Sequence, residues 1–205
     1  MHKIICIGST TKDIFFPTSD GVILNTPEDI TSQKKIAFEL GAKYQVTEHY
    51  EALGGCAANV AQGLTKLGEN SECYSKVGDD ELGRWIKKTL ISGGVGTETL
   101  EIEEGCKSDL SLIIVDIDSG ERTIFSDRGA NNRLSIIPEK LKHAHWIFIS
   151  SLNGDWQSHL RTILAVAKER KISIAFNPGQ KNIKTDPLEV ASVITSSELF
   201  FINKD

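Results

Sequence analysis

Two adjacent glycines and an asparagine one helical turn later carry the most legible chemistry in this chain: Gly54-Gly55-Cys56-Ala57-Ala58-Asn59-Val60-Ala61. Paired glycines entering a helix permit backbone conformations and close approaches that a side chain blocks. Asn59 then falls in the first helical turn, where its amide both donates to and accepts from a polyol hydroxyl. The same residues also fit a plain tight turn before a helix, with Asn59 exposed by chance. The run continues through Leu67-Gly68 to Val77-Gly78-Asp79-Asp80-Glu81-Leu82-Gly83.

Several other chemistries are excluded. The first strand runs into Gly8-Ser9-Thr10-Thr11, which is neither a dinucleotide-binding G-x-G-x-x-G nor a P-loop. No H-E-x-x-H and no G-x-S-x-G occurs. His2, His49, His143, His145 and His159 lack metal-ligand spacing. Cys6, Cys56, Cys73 and Cys106 form no C-x-x-C, so neither a zinc site nor a disulfide framework is legible.

These residues need elements to hold them. Ile4 to Ile7 is an apolar run that stops at Gly8 and predicts a first strand. Ile36, Phe38 and Leu40 alternate with Ala37 and Glu39, and Lys43 to Val46 resumes as a second extended piece after Gly41, which suggests antiparallel strands exposed on one face. Ala57, Val60, Ala61, Leu64 and Leu67 keep helical spacing, and Gly68 supplies a stop. Glu72 to Val77 reads as one strand. The next helix has Asp79, Asp80 and Glu81 at its start and Lys87 and Lys88 near its end, the order the helix dipole favours. Leu110–Ile117 and Arg122–Ser126 predict a hairpin turning at Ser119-Gly120. Strands over His145–Ile149, Ile172–Phe176 and Leu199–Ile202 then alternate with helices opened by Asp155 and Asp186-Pro187, which predicts a parallel, doubly wound sheet. Leu199–Ile202 is wholly apolar, as in a strand covered on both faces. Residues 14–52 and 110–126 are the candidates for a small second lobe.

The 205 residues hold 40% hydrophobic and 25% charged side chains, which is globular composition. The net charge of −5 gives no electrostatic reason to expect nucleic acid or an anionic membrane as a partner. No apolar run reaches bilayer-spanning length and no secretory signal is legible, so the expectation is a reduced cytoplasmic protein.

Taken in order, the motifs resemble the ribokinase-like (PfkB-type) carbohydrate kinases. The diglycine, helical Asn59, Leu67-Gly68 and Gly78-Asp79-Asp80-x-x-Gly83 follow that family's signature, as do Gly8-Ser9 followed by Asp13. Arg128-Gly129-Ala130-Asn131 resembles its G-A-N turn. Phe176-Asn177-Pro178-Gly179 resembles a strand-end pattern of many members, and Phe200-Phe201-Ile202-Asn203 resembles the strand before its N-x-x-E motif. The resemblance implies a three-layer α/β/α fold with a mostly parallel central sheet, forming a single domain over 1–205, with a small β-stranded lid from about 14–52 and 110–126.

It further implies ATP-dependent phosphorylation of a hydroxymethyl group of a sugar or nucleoside, with Mg²⁺. Asp13, just past the first strand, would accept charge-assisted bonds from vicinal hydroxyls. Gly54 and Gly55 would form the hinge and wall of the sugar pocket, Asn59 would hold a hydroxyl, and Asn203 would sit near the ATP phosphates and Mg²⁺. The lid would exclude water and is the expected seat of a homodimer.

There are departures. Ile149-Ser150-Ser151-Leu152-Asn153-Gly154 lacks the acidic residue of ribokinase proper, and Cys56 stands where that subgroup has lysine. No G-A-G-D occurs, so the expected catalytic base lies beyond residue 205 and the chain is expected to carry the substrate-binding part only. The rival expectation is a non-catalytic sugar-binding or partner-binding module on a kinase scaffold.

Overall fold

The computed structural model describes residues 2–29 and 33–202. In chain order the elements begin β1 (Lys3–Ile7), β2 (Thr11–Thr18), β3 (Val22–Asn25), β4 (Lys34–Ala37), β5 (Tyr50–Gly54), α1 (Cys56–Lys66), β6 (Asn70–Tyr74), β7 (Lys76–Gly78) and α2 (Glu81–Ser92). They continue with β8 (Glu101–Glu103), β9 (Leu110–Asp116), β10 (Arg122–Asp127), a 3-10 turn (Ala130–Arg133), α3 (Pro138–Leu141) and β11 (Trp146–Ile149). The last are α4 (Trp156–Arg170), β12 (Ser173–Phe176), α5 (Gln180–Thr185), α6 (Pro187–Ile194) and β13 (Leu199–Phe200). The chain divides into two compact units, Met1–Lys12 with Leu53–Asp109 and Arg128–Asp205, and Asp13–Ala52 with Leu110–Asp127.

The larger unit is a parallel five-stranded sheet in the order β13-β12-β11-β1-β6. Alternate residues of β1 serve two cores. Ile5 and Ile7 join Ile147, Ile149, Leu160, Ile163 and Val193 on the face covered by α3, α4 and α6. Cys6 joins Cys73, Ala57, Ala58, Ala61, Ile86 and Leu90 on the face covered by α1 and α2. Three buried alanines let α1 lie close to the strands. This is the doubly wound α/β architecture that the alternating pattern predicts.

In the larger unit three features depart from the sequence reading. The expected strand Glu72–Val77 is two strands, because the chain leaves β1 after Tyr74 and β7 pairs in parallel with β8 instead. Lys87 and Lys88 end short of the last turn of α2, which carries no basic residue, so only the acidic half of the dipole pattern is realised. The apolar Leu199–Ile202 run is not covered on both faces. β13 is a two-residue edge strand whose Phe200 packs on the α4–α6 side. Leu199 and Phe201, each 48% exposed, line an open groove of about 550 Å³ with Val60, Leu64 and Phe148.

The smaller unit holds a four-stranded sheet in the order β10-β9-β2-β5 and the antiparallel pair β3–β4. The β9–β10 hairpin is antiparallel and turns through Gly120 at φ +72°, with Asp116 accepting from the Ser119 amide. Lys43–Val46 is not a strand. Gly41 at φ +79° and the bonds Ala42 N–H to Glu39 C=O and Glu39 N–H to the Tyr44 hydroxyl fold the segment back, with Tyr44 against Phe38.

Candidate functional site

In doubly wound sheets a ligand crevice opens at the carboxyl ends of the strands, where chain order reverses. Here the reversal lies between β1 and β11, since β6 adds to one side of β1 and β11 to the other. The loops after these strands meet closely: the Ser150 amide and hydroxyl both donate to the Ile7 carbonyl, and a Cβ on Gly8 would lie 2.1 Å from Ser150 Oγ.

The diglycine closes on the same loop. Gly55 has φ +91°, and a Cβ there would lie 2.5 Å from the Ser9 carbonyl oxygen and 2.6 Å from Thr10 Cα. Ser9 in turn caps α1, its hydroxyl accepting from the Cys56 amide at 3.2 Å and its carbonyl from the Ala57 amide at 3.1 Å. Most of the donor capacity at this helix start is therefore spent on protein groups. Gly54 is buried behind the turn, whereas Asn59 and Cys56 are exposed. The structure thus sets Gly55 against Ser9 and Thr10, with Gly54 beside it in the chain and Asn59 exposed on the first turn of α1.

Asp13 is not a loop residue. The connection after β1 is so short that Asp13 falls inside β2, half-buried, and it belongs to the smaller unit. Asn203 lies outside the described residues.

The Gly78-Asp79-Asp80-x-x-Gly83 run is a brace. Asp80 caps α2 through the Gly83 amide (2.7 Å) and accepts from the Ser108 amide (2.8 Å) and hydroxyl (2.6 Å). Burial works against its charge, but these bonds outweigh it and hold the carboxyl below the usual aspartate range. A Cβ on Gly83 would lie 2.1 Å from the Gly78 carbonyl oxygen, and one on Gly78 2.0 Å from that of Cys106. The motif's spacing is set by packing of backbone on backbone.

Sequence reasoning passed over Asp109. Fully buried, it accepts from the Gly129 amide (3.0 Å) and the Asn131 amide (3.3 Å) and pairs with Arg128 at 3.4 Å. Its only signal in the sequence is an acid directly before an apolar strand. Two cysteines are excluded as nucleophiles, because burial pushes the Cys6 thiol up to about 12 and the Cys73 thiol upward as well. Among the described residues no group of three or more His, Cys, Asp or Glu is placed to hold a metal ion. No described helix is long and apolar enough to cross a membrane.

The larger unit is a doubly wound α/β scaffold with a close-packed glycine turn at its switch point. The chain belongs to the pfkB family of carbohydrate kinases, whose model matches residues 1–205. It is 26% identical over 156 residues to an ATP-dependent ribose-1-phosphate kinase of Halopiger xanaduensis, covering 75% of this chain and 51% of that protein. It is 29% identical over 136 residues to a fructokinase of Solanum tuberosum, covering 62% and 42%. In fold it matches the ribokinase of Giardia lamblia with a TM-score of 0.78 at 20% identity, over 100% of this chain and 58% of that one. The nucleoside kinase of Methanocaldococcus jannaschii gives 0.73 at 24%, over 100% and 61%. The chain spans about half the length of the curated relatives it matches.

Proposed function

We propose that this chain forms the substrate-holding part of a kinase that transfers the γ-phosphoryl group of ATP to a hydroxymethyl group of a sugar or nucleoside. The observation that carries the reading is the Ser9-capped diglycine turn at the switch point, which leaves the Asn59 amide exposed one helical turn on. In this reading Gly54 and Gly55 wall the pocket, Asn59 holds a hydroxyl, and Asp13 accepts from a vicinal pair. ATP would supply the transferred group, with Asn203 near its phosphates. Mg²⁺ would accompany ATP in the full-length enzyme, also near Asn203. Family membership and the sugar and nucleoside kinases among its relatives support the substrate class. Four free cysteines favour a reduced, cytoplasmic setting. Exposed apolar side chains on β3 and β10 of the smaller unit, Ile23, Leu24, Ile124 and Phe125, favour a homodimer through that unit.

Calorimetric titration of the 205-residue chain with D-ribose, D-fructose and inosine tests the reading. Saturable binding of at least one, weakened about tenfold or more by Asp13→Ala and by Asn59→Ala, is expected. Binding untouched by either substitution would remove both residues from the site. Sugar-dependent release of ADP from ATP by this chain would overturn the reading that it holds substrate only.

A further inference from the structure

The Arg128–Asn131 run is the motif that the proposed function leaves without a role. Its asparagine is 1% exposed, and both polar atoms of its side chain are hydrogen-bonded. Asn131 Nδ2 donates to the Thr10 carbonyl at 2.9 Å, and Asn131 Oδ1 accepts from the Ser75 hydroxyl at 2.7 Å. A carbonyl cannot donate, so the atom facing Thr10 must be the amide nitrogen, and the orientation follows from the partners. Thr10 lies in the loop after β1, and Ser75 directly follows β6. One side chain thus ties together the carboxyl ends of two neighbouring strands.

The next residue reaches a third. A Cβ on Gly154, in the loop after β11, would lie 2.4 Å from the Asn132 carbonyl oxygen. The turn is itself rigidly seated: Asp109 accepts from the Gly129 and Asn131 amides, and the Ala130 amide donates to the Lys107 carbonyl at 2.8 Å. The Thr10 loop is bonded by Asn131 on one side and meets the Gly55 turn on the other.

We infer that Asn131 is a positioning residue: it fixes the Ser9–Thr10 loop against Gly55, and through that loop the wall of the substrate crevice. The inference rests on the substrate-binding reading above. It acts through backbone, since Asn131 itself is buried away from any ligand.

Hydrogen exchange and titration with D-ribose, D-fructose and inosine, on the 205-residue chain and its Asn131→Ala variant, test this. The Cys56 and Ala57 amides, which donate to Ser9, should exchange about tenfold faster or more, while β1 and β11 amides keep wild-type rates. Affinity for the ligand that the wild type binds should fall about tenfold or more. Unchanged exchange at Cys56 and Ala57, or acceleration spread equally through β1 and β11, would overturn the role. Local acceleration with unchanged affinity would overturn it too, leaving Asn131 a loop tether only. Should Asn131→Ala fail to fold, Ser75→Ala, which removes the donor that orients the amide, must move the same two amides in the same direction. A wild-type chain that binds none of the three probes would instead overturn the substrate reading, separately from the exchange result.

Discussion

Replacing Gly55 by alanine tests whether the crevice wall depends on backbone meeting backbone. Two costs are separable in the structure. A non-glycine residue at φ +91° and ψ 142° sits in a region nearly reserved for glycine, at about 1–3 kcal/mol. The new Cβ would also stand 2.5 Å from the Ser9 carbonyl oxygen and 2.6 Å from Thr10 Cα, rigid atoms that must move, at about 1–3 kcal/mol more. Together they come to about 2–6 kcal/mol, against a typical domain stability of about 5–15 kcal/mol. Gly68 provides the control: it has the same φ of +91°, and a methyl group there would meet nothing within 4 Å. Gly68→Ala should cost about 1–2 kcal/mol, from conformation alone. Urea unfolding of both variants reads how far the cost at Gly55 exceeds that of a positive φ at an open position, and sugar titration should show affinity lost only in Gly55→Ala. If Gly55→Ala costs no more than Gly68→Ala, the loop yields and the argument from close approach is wrong.

Asp80→Ala removes a helix cap and two bonds from Ser108 at once and should cost about 2–4 kcal/mol in urea unfolding. Because the folded carboxyl is held below its ordinary range, its contribution is complete above the unfolded value and is lost as pH falls through the folded one. The gap between wild type and Asp80→Asn should therefore narrow from about pH 7 to about pH 3. Thiol titration of the native chain should show prompt reaction of the exposed Cys56 and the half-buried Cys106 only, with buried Cys6 and Cys73 reacting on unfolding. Prompt reaction of all four would mean that the α1 side of the sheet is open. Charging the smaller unit by Phe125→Glu should lower the mass measured by light scattering to that of a monomer, and a wild type already monomeric at high concentration would end the homodimer proposal.

The helices were legible because their signals are local. Asp80, Asp155 and Asp186 each cap the helix that the pattern predicts, accepting from the amide three residues on. The apolar runs of β1, β11 and β12 likewise declare strands of a parallel sheet, since no partner is needed to read them. What failed to show were features that depend on distant chain. The break after Tyr74 exists because β8, which follows only after the whole of α2, offers β7 a new partner. The exposure of Leu199 and Phe201, which line an open groove with Val60 and Leu64, is likewise not encoded in an apolar tetrapeptide.

The chemistry divides along the same line. Residue types alone nominated Gly54, Gly55 and Asn59, because a diglycine before a helix constrains the backbone wherever it occurs. They could not separate Gly55 from Gly68, which share a φ and a place at a helix end. Tertiary structure separates them: one faces the Ser9–Thr10 backbone and the other faces open space. It also decided the roles of Asp109 and Asn131, buried polar residues whose worth lies in partners as much as 121 residues away. A hydrogen bond of that span leaves no periodicity in the sequence, because its geometry exists only once the strands between have paired.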